Sequence, residues 1–243
     1  MLRAWEFAVC MLLFICENTG AQILPEVPSR DVEGRIQLAL DYDVRPKLVV
    51  TALGEVRPGD VSQFAEELFV TGASYSPCRF ASFEIRYVYV HANFHITGLD
   101  SENRLSLQAR FNAPEFHGFA LSDGVQPELR WLLGPTIVDG KFILSGLREE
   151  IFAEKYRNLI ALEHPVRIAD IKSVWFIRWA RSYDTLSHGW TQTSYHVGFD
   201  MSIGGRVSAE YYYVYRQDAA FAPYVTQAVG VSFIFAFQRE RRE

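Results

Sequence analysis

The chain has 243 residues, a formal net charge of −5 and 49% hydrophobic residues. This mild acidity excludes the basic surface that a nucleic-acid binder needs. Beyond the N-terminus no run approaches the roughly 18 uninterrupted apolar residues of a membrane helix. Apolarity without a spanning helix leaves two classes, a soluble β-rich domain or a transmembrane β-barrel.

Residues 1–21 read as a secretory signal. Arg3 supplies the positive n-region, and Phe7 to Cys16 is an apolar stretch too short to span a bilayer. Thr19-x-Ala21 is a small-residue cleavage site, so cleavage is expected after Ala21. Lipidation at Cys16 is disfavoured by the large Ile15 before it. With Cys10 and Cys16 removed, Cys78 stands alone and no internal disulfide forms. The reading divides the chain into a signal (1–21), a lead (22–33), one barrel domain (34–237) and a charged tail (238–243).

Alternation with period two then recurs along the chain. In 35–42, Ile36, Leu38, Leu40 and Tyr42 oppose Gln37, Ala39 and Asp41. In 47–57, Glu55 and Arg57 share a face opposite Val50 and Val56. In 80–95, Phe83, Ile85, Tyr87 and Tyr89 oppose Glu84 and Arg86. In 103–111, Leu105, Leu107 and Phe111 oppose Arg104 and Arg110, and in 125–133, Leu129, Trp131 and Leu133 oppose Glu128 and Arg130. Segments 63–75, 141–154 and 158–163 are poorly patterned. In 174–181, Trp175, Ile177 and Trp179 oppose Arg178. In 206–216, Tyr211, Tyr213 and Tyr215 oppose Arg206 and Glu210. The last run, 227–237, sets Val229, Val231, Phe233, Phe235 and Phe237 against Ala228, Gly230, Ser232, Ile234 and Ala236.

Each clean segment is about the 9–11 residues of a tilted membrane strand. The pattern predicts an all-β fold: a single antiparallel transmembrane β-barrel of about twelve strands, with about ten as the alternative. With twelve strands and a periplasmic start, the long connections 112–124, 182–191 and 217–223 fall outside and the Gly204-Gly205 turn falls in the periplasm.

Charge facing acyl chains is costly, so the charged face is expected to turn inward. The expected lumen-lining residues are Glu55, Arg57, Glu84, Arg86, Arg104, Arg110, Glu128, Arg130, Arg178, Arg206 and Glu210. A soluble lipid-carrying barrel puts its apolar face inside instead.

No motif for a nucleophile elbow, phosphate loop, dinucleotide fingerprint or zinc site is present. His91 and His95 lie about 13 Å apart along one strand and cannot share a metal ion. Ser194, His196 and Asp200 share a face, but His196 and Asp200 are again about 13 Å apart, so they read as a polar lumen row rather than a triad. No catalytic residue, metal or cofactor is expected. The tyrosines 211–215 read as an interfacial girdle with inward packing rather than a sugar platform. The loop 112–124, with Phe116, His117 and Phe119, either folds into the lumen or binds outside.

The order of five motifs resembles a family. These are Leu53-Gly54-Glu55-Val56-Arg57, the Arg/Leu alternation of 103–111, LREEIFAE from Leu147, AEYYYVYR from Ala209 and the final strand Val229–Phe237. Together they resemble the uncharacterised bacterial outer-membrane barrels grouped as domain of unknown function 2490. The resemblance covers nearly the whole mature chain and implies a single-chain outer-membrane barrel with no established activity. Such barrels usually finish at the aromatic, whereas this chain continues for six residues after Phe237.

The expected partners are outer-membrane lipid, the barrel-assembly machinery through the terminal strand, and an unidentified small solute. The expected role is a narrow channel or passive component of the bacterial outer membrane. The alternatives are a barrel-embedded enzyme acting on lipid or lipopolysaccharide, and a soluble periplasmic lipid-binding barrel.

Overall fold

The structure is a computed structural model. It describes residues 30–58, 65–93, 101–138, 141–168, 170–186, 188–219 and 224–238. The signal and lead up to residue 29, the tail from 239 and the connections 59–64, 94–100 and 220–223 lie outside the described residues.

Alternating residues become eleven strands. In chain order they are β1 (Arg30–Arg45), β2 (Leu48–Pro58), β3 (Ala65–Cys78), β4 (Ala81–Asn93), β5 (Ser101–Asn112), β6 (Ala120–Val138), β7 (Lys141–Ile168), β8 (Ile171–Asp184), β9 (Gly189–Gly204), β10 (Val207–Asp218) and β11 (Tyr224–Gln238). Each pairs antiparallel with its sequence neighbours, and β1 pairs parallel with β11 to close the barrel. The register at this seam sets Arg35 opposite Gly230, Gln37 opposite Ser232 and Tyr42 opposite Phe237. Closure leaves no sheet edge, which is the condition for strands to cross a bilayer.

The count of eleven falls between the two counts read from the sequence, and its oddness has a consequence. Twelve strands would return both termini to one end. Here β1 starts at the end where β11 starts, and β11 ends at the opposite end. The expectation that the first strand starts at the same end as the Gly204-Gly205 turn is therefore overturned.

The cause lies in β6 and β7. Segments 141–154 and 158–163 look like two weak strands in the sequence but form one strand of 28 residues, paired along the 19 residues of β6. Both exceed what a tilted membrane strand needs, so this hairpin projects beyond the barrel. A register shift between Pro135 and Thr136 lies within the projecting part, which begins where β6 leaves β5 at Leu133 and β7 leaves β8 at Lys155. The merger also reverses one connection. The segment 113–119 lies at the end that carries the tight turns 46–47, 79–80 and 205–206, not with the connections 185–188 and 219–223.

The outer face is apolar. Ile36, Leu38, Phe69, Ile85, Leu107, Val125, Ile177 and Val197 are large, exposed and on one side of their strands. Aromatics gather toward the two ends of this belt. At one end Tyr183 and Trp190 meet edge to face at 5.9 Å, Arg181 lies 4.3 Å over Trp190, and Trp131 meets Phe152 at 5.6 Å. At the other, Trp175 stacks on His164 at 6.0 Å and Arg79 covers Phe80 at 4.5 Å. Trp175 and Tyr183 lie on one strand eight residues apart. At about 3.3 Å per residue and a tilt near 40°, that is roughly 20 Å along the membrane normal. An apolar band of that order between two aromatic girdles matches the belt of a transmembrane barrel. It is the reverse of a soluble lipid carrier, whose outer face is polar.

Candidate functional site

The lumen is built by the other half of each alternation. Ten of the eleven expected lumen residues lie on the inward side of their strands, and one does not. Arg206 sits in the tight Gly205-Arg206 turn and is exposed. The sequence reading extended β10 one residue too far, because a turn residue continues the polar phase of the strand behind it.

In β2, Arg57 bridges two carboxylates. Its Nε donates to Glu55 Oε1, and its Nη1 donates to Glu66 Oε2 at 2.7 Å. Gln37 Nε2 donates to the second oxygen of Glu55 at 2.7 Å. In β4, Arg86 grips Glu84 with two donors at 2.5 and 2.6 Å. These i, i+2 pairs lock within one strand, because residues two apart share a face about 6.6 Å from each other. Arg178 of β8 reaches over β9 to hold Glu210 of β10 through two hydrogen bonds at 3.0 and 2.9 Å, and packs 3.8 Å from the Phe176 ring. A guanidinium fork on a carboxylate is the strongest pairing available to such groups.

The densest cluster centres on Glu102, which is only 1% exposed. Arg104 donates to Glu102 Oε2 at 2.7 Å and Arg130 Nε donates to Glu102 Oε1. Arg130 Nη1 also donates to Asp184 at 3.0 Å, and its Nε lies 3.8 Å from Glu128. Strands β5, β6 and β8 are thus tied through one guanidinium. Arg110 is part-buried on the same face of β5, with no ion pair among the described residues.

A second chain of polar contacts crosses the parallel seam. Arg216 of β10 donates to Asp218 at 2.8 Å and Thr226 at 3.1 Å, and lies 3.7 Å from Glu33 of β1. Glu33 accepts from Arg35 at 2.9 Å, while Asp218 accepts from Gln192 at 2.7 Å. Glu33, Arg35, Glu66, Glu102, Lys155, Arg157, Asp184, Arg216 and Asp218 were not among the expected lumen residues. The signal for Lys155 and Arg157 was present. Ala153, Lys155, Arg157 and Leu159 alternate with Phe152, Glu154, Tyr156 and Asn158, but the alternation crosses the gap between two segments read separately.

Apolar packing fills the lumen beside the seam. Phe176, Tyr212, Val214 and Ala228 form a buried cluster. Phe176 of β8, Gly198 of β9, Tyr212 of β10 and Gly230 of β11 are consecutive partners in register. Large and small residues alternate around the wall, so each ring lies over a neighbouring glycine. A Cβ at Gly230 would overlap the Tyr212 ring, and one at Gly198 would meet the Tyr211 carbonyl oxygen and the Phe176 ring. Glycine covered by an aromatic from the next strand fixes register where a side chain could not fit.

His196 faces the lumen and stacks on Tyr212 with centroids 6.5 Å apart. Ser194 and Asp200 share its face, and no hydrogen bond joins the three among the described residues. No group of three or more His, Cys, Asp or Glu among the described residues is placed to hold a metal ion. His91 is exposed, and His95 lies outside the described residues. Tyr211 and Tyr213 face outward while Tyr212 packs inside. The 113–119 segment folds back over the outer wall. Phe119 lies 4.5 Å from His164 and 6.1 Å from Trp175. Below the Phe176–Tyr212 layer, at the tight-turn end, the lumen opens into a cavity of about 600 Å³ lined by Pro165, Arg167, Lys172, Val174, Asp200 and Ser202 among others.

No protein-family model matches the chain, and no curated protein matches it. Among solved structures it is similar to the β domain of the Bordetella autotransporter Brka, at 12% identity and a TM-score of 0.44, over 73% of this chain and 78% of that one. The fold and its two faces define an outer-membrane-type β-barrel: eleven strands, an apolar exterior and a charge-filled interior.

Proposed function

We propose that the protein resides in the bacterial outer membrane after cleavage at Ala21 and acts there as a narrow pore or passive barrel, as a member of the family its motifs resemble. The observation that carries this reading is the lumen itself. Its side chains bridge across strands through Arg57, Arg130, Arg178 and Arg216, and a cavity of about 600 Å³ opens at one mouth. Eleven strands sit between filled eight-strand barrels and open sixteen-strand porins. Passage through such a lumen is small and set by its charges.

Short turns face the periplasm in barrels of this kind, so the end with turns 46–47, 79–80 and 205–206 faces the periplasm. The β6–β7 hairpin then projects outward from the cell. The terminal strand, with Phe233, Phe235 and Phe237 on its outer side, is the segment the assembly machinery reads. Cell fractionation tests this reading. The mature protein is expected in outer membranes, with gel mobility that changes on heating. Recovery as a detergent-free periplasmic monomer overturns it.

A further inference from the structure

The geometry points to an oxyanion-binding site inside the lumen, between β5 and β7, at Arg104, Gln108, Lys155 and Arg157. The inference rests on the barrel reading but not on conduction.

Lys155 and Arg157 face inward on β7, partly buried, and find only neutral partners. Lys155 Nζ donates to Gln192 Oε1 at 3.2 Å, and Arg157 Nε to Ser182 Oγ at 3.4 Å. Neither has a carboxylate at ion-pair distance among the described residues. Opposite them on β5, Arg104 Nε and Gln108 Nε2 are buried donors without an acceptor. The register places these residues around one patch of wall. Ser106, Glu128 and Lys155 form one row, and Gln126 lies beside Arg157 in the next. Strands β5 and β7 are about 9.6 Å apart across β6. Long side chains from both line the wall on either side of Gln126 and Glu128. Arg104 and Arg130 lie within electrostatic reach of both Lys155 and Arg157.

The acids nearby do not neutralise this patch. Glu102 is taken by Arg104 and Arg130, Glu84 by Arg86, and Asp184 accepts from Arg130. Glu128 is left to face Lys155 and Arg157, and its Oε1 has no hydrogen-bond partner. One carboxylate against two cations leaves net positive charge and unspent donors on this part of the lumen wall. Unpaired buried charge and unmet donors are both costly. A small oxyanion such as phosphate or a carboxylate satisfies both at once, because a guanidinium presents paired donors to two oxygens.

The test is direct binding to the refolded full-length mature barrel in detergent, by titration calorimetry with inorganic phosphate, acetate and chloride. Phosphate or acetate is expected to bind saturably at one site, more tightly than chloride. Lys155→Gln with Arg157→Gln is expected to weaken that binding at least tenfold. Lys172→Gln, a cation at the open mouth, is expected to leave it unchanged. Heat-modifiable mobility shows that each variant has folded. If the double variant does not fold, Arg157→Lys serves in its place, since it keeps the charge but loses the fork and is expected to weaken phosphate at least threefold. Absence of saturable oxyanion binding to the wild type, or equal binding by the folded variants, overturns the site. A barrel that binds phosphate but conducts nothing in planar bilayers overturns the pore reading and leaves the site standing.

Discussion

The two sides of the lumen solve different problems. Beside the seam, from β8 through β11 to β1, the wall carries rings laid over glycines, with Arg216 and Glu33 reaching across the join. From β5 to β7 no aromatic side chain is buried inside among the described residues, and the wall is held by Glu102, Arg104 and Arg130 with Asp184 of β8. The seam joins the ends of the chain, so its register is fixed by no short turn. Shape complementarity supplies that register, since a slip of one residue exchanges the two faces of a strand. The β5–β7 side has local hairpins to set its register and is free to carry charge. Interlocking shape closes this barrel, and charge lines it.

The largest effect expected is at the charged side. Glu102→Gln leaves two part-buried guanidinium groups without the buried carboxylate they share. Breaking a buried pair costs about 3–5 kcal/mol, to be read from denaturant unfolding in detergent or lipid. A loss below 1 kcal/mol would show that the cluster is solvated rather than structural. Next is the outer face. Phe233→Arg is expected to cost about 2–4 kcal/mol if it lies near the midplane, and Ser232→Ala much less. Equal tolerance at the two positions would mean that the faces are exchanged.

At the seam, Gly198→Ala is expected to cost about 1–3 kcal/mol, because the added methyl meets a backbone oxygen that cannot move away. Gly230→Ala is expected to cost less, since the Tyr212 ring can tilt. The reverse order would place the lock in the ring rather than in the backbone. The smallest effect is at Arg206. Its exposed turn position predicts a change within about 0.5 kcal/mol for Arg206→Gln.

Much of this was legible in the alternation. Where a strand has a clean apolar face, as in β1, β4 and β11, the inward and outward residues follow from parity alone. The charges at Glu55, Arg130 and Arg178 had to turn inward, because acyl chains offer them no partner. The pairing was not legible. Arg130 meets Glu102 and Asp184 only because β5, β6 and β8 come together, and no local spacing announces that. The strand count departs by one, at β7. The span from Lys141 to Ile168 carries Pro165 and charges on both faces near 148–150, so its periodicity breaks although the strand does not. That one merger moved the 113–119 segment to the other end and separated the termini. Glu102 was missed by a single residue, since the clean pattern of β5 begins at Asn103.

The central claim is that charged side chains, not open water, occupy most of the lumen. Single-channel recording of the purified, refolded mature protein in planar bilayers tests it most directly. The account predicts conductance steps far below those of a sixteen-strand porin, changed in ion preference by Lys155→Gln with Arg157→Gln. Porin-sized steps from the wild type would contradict it.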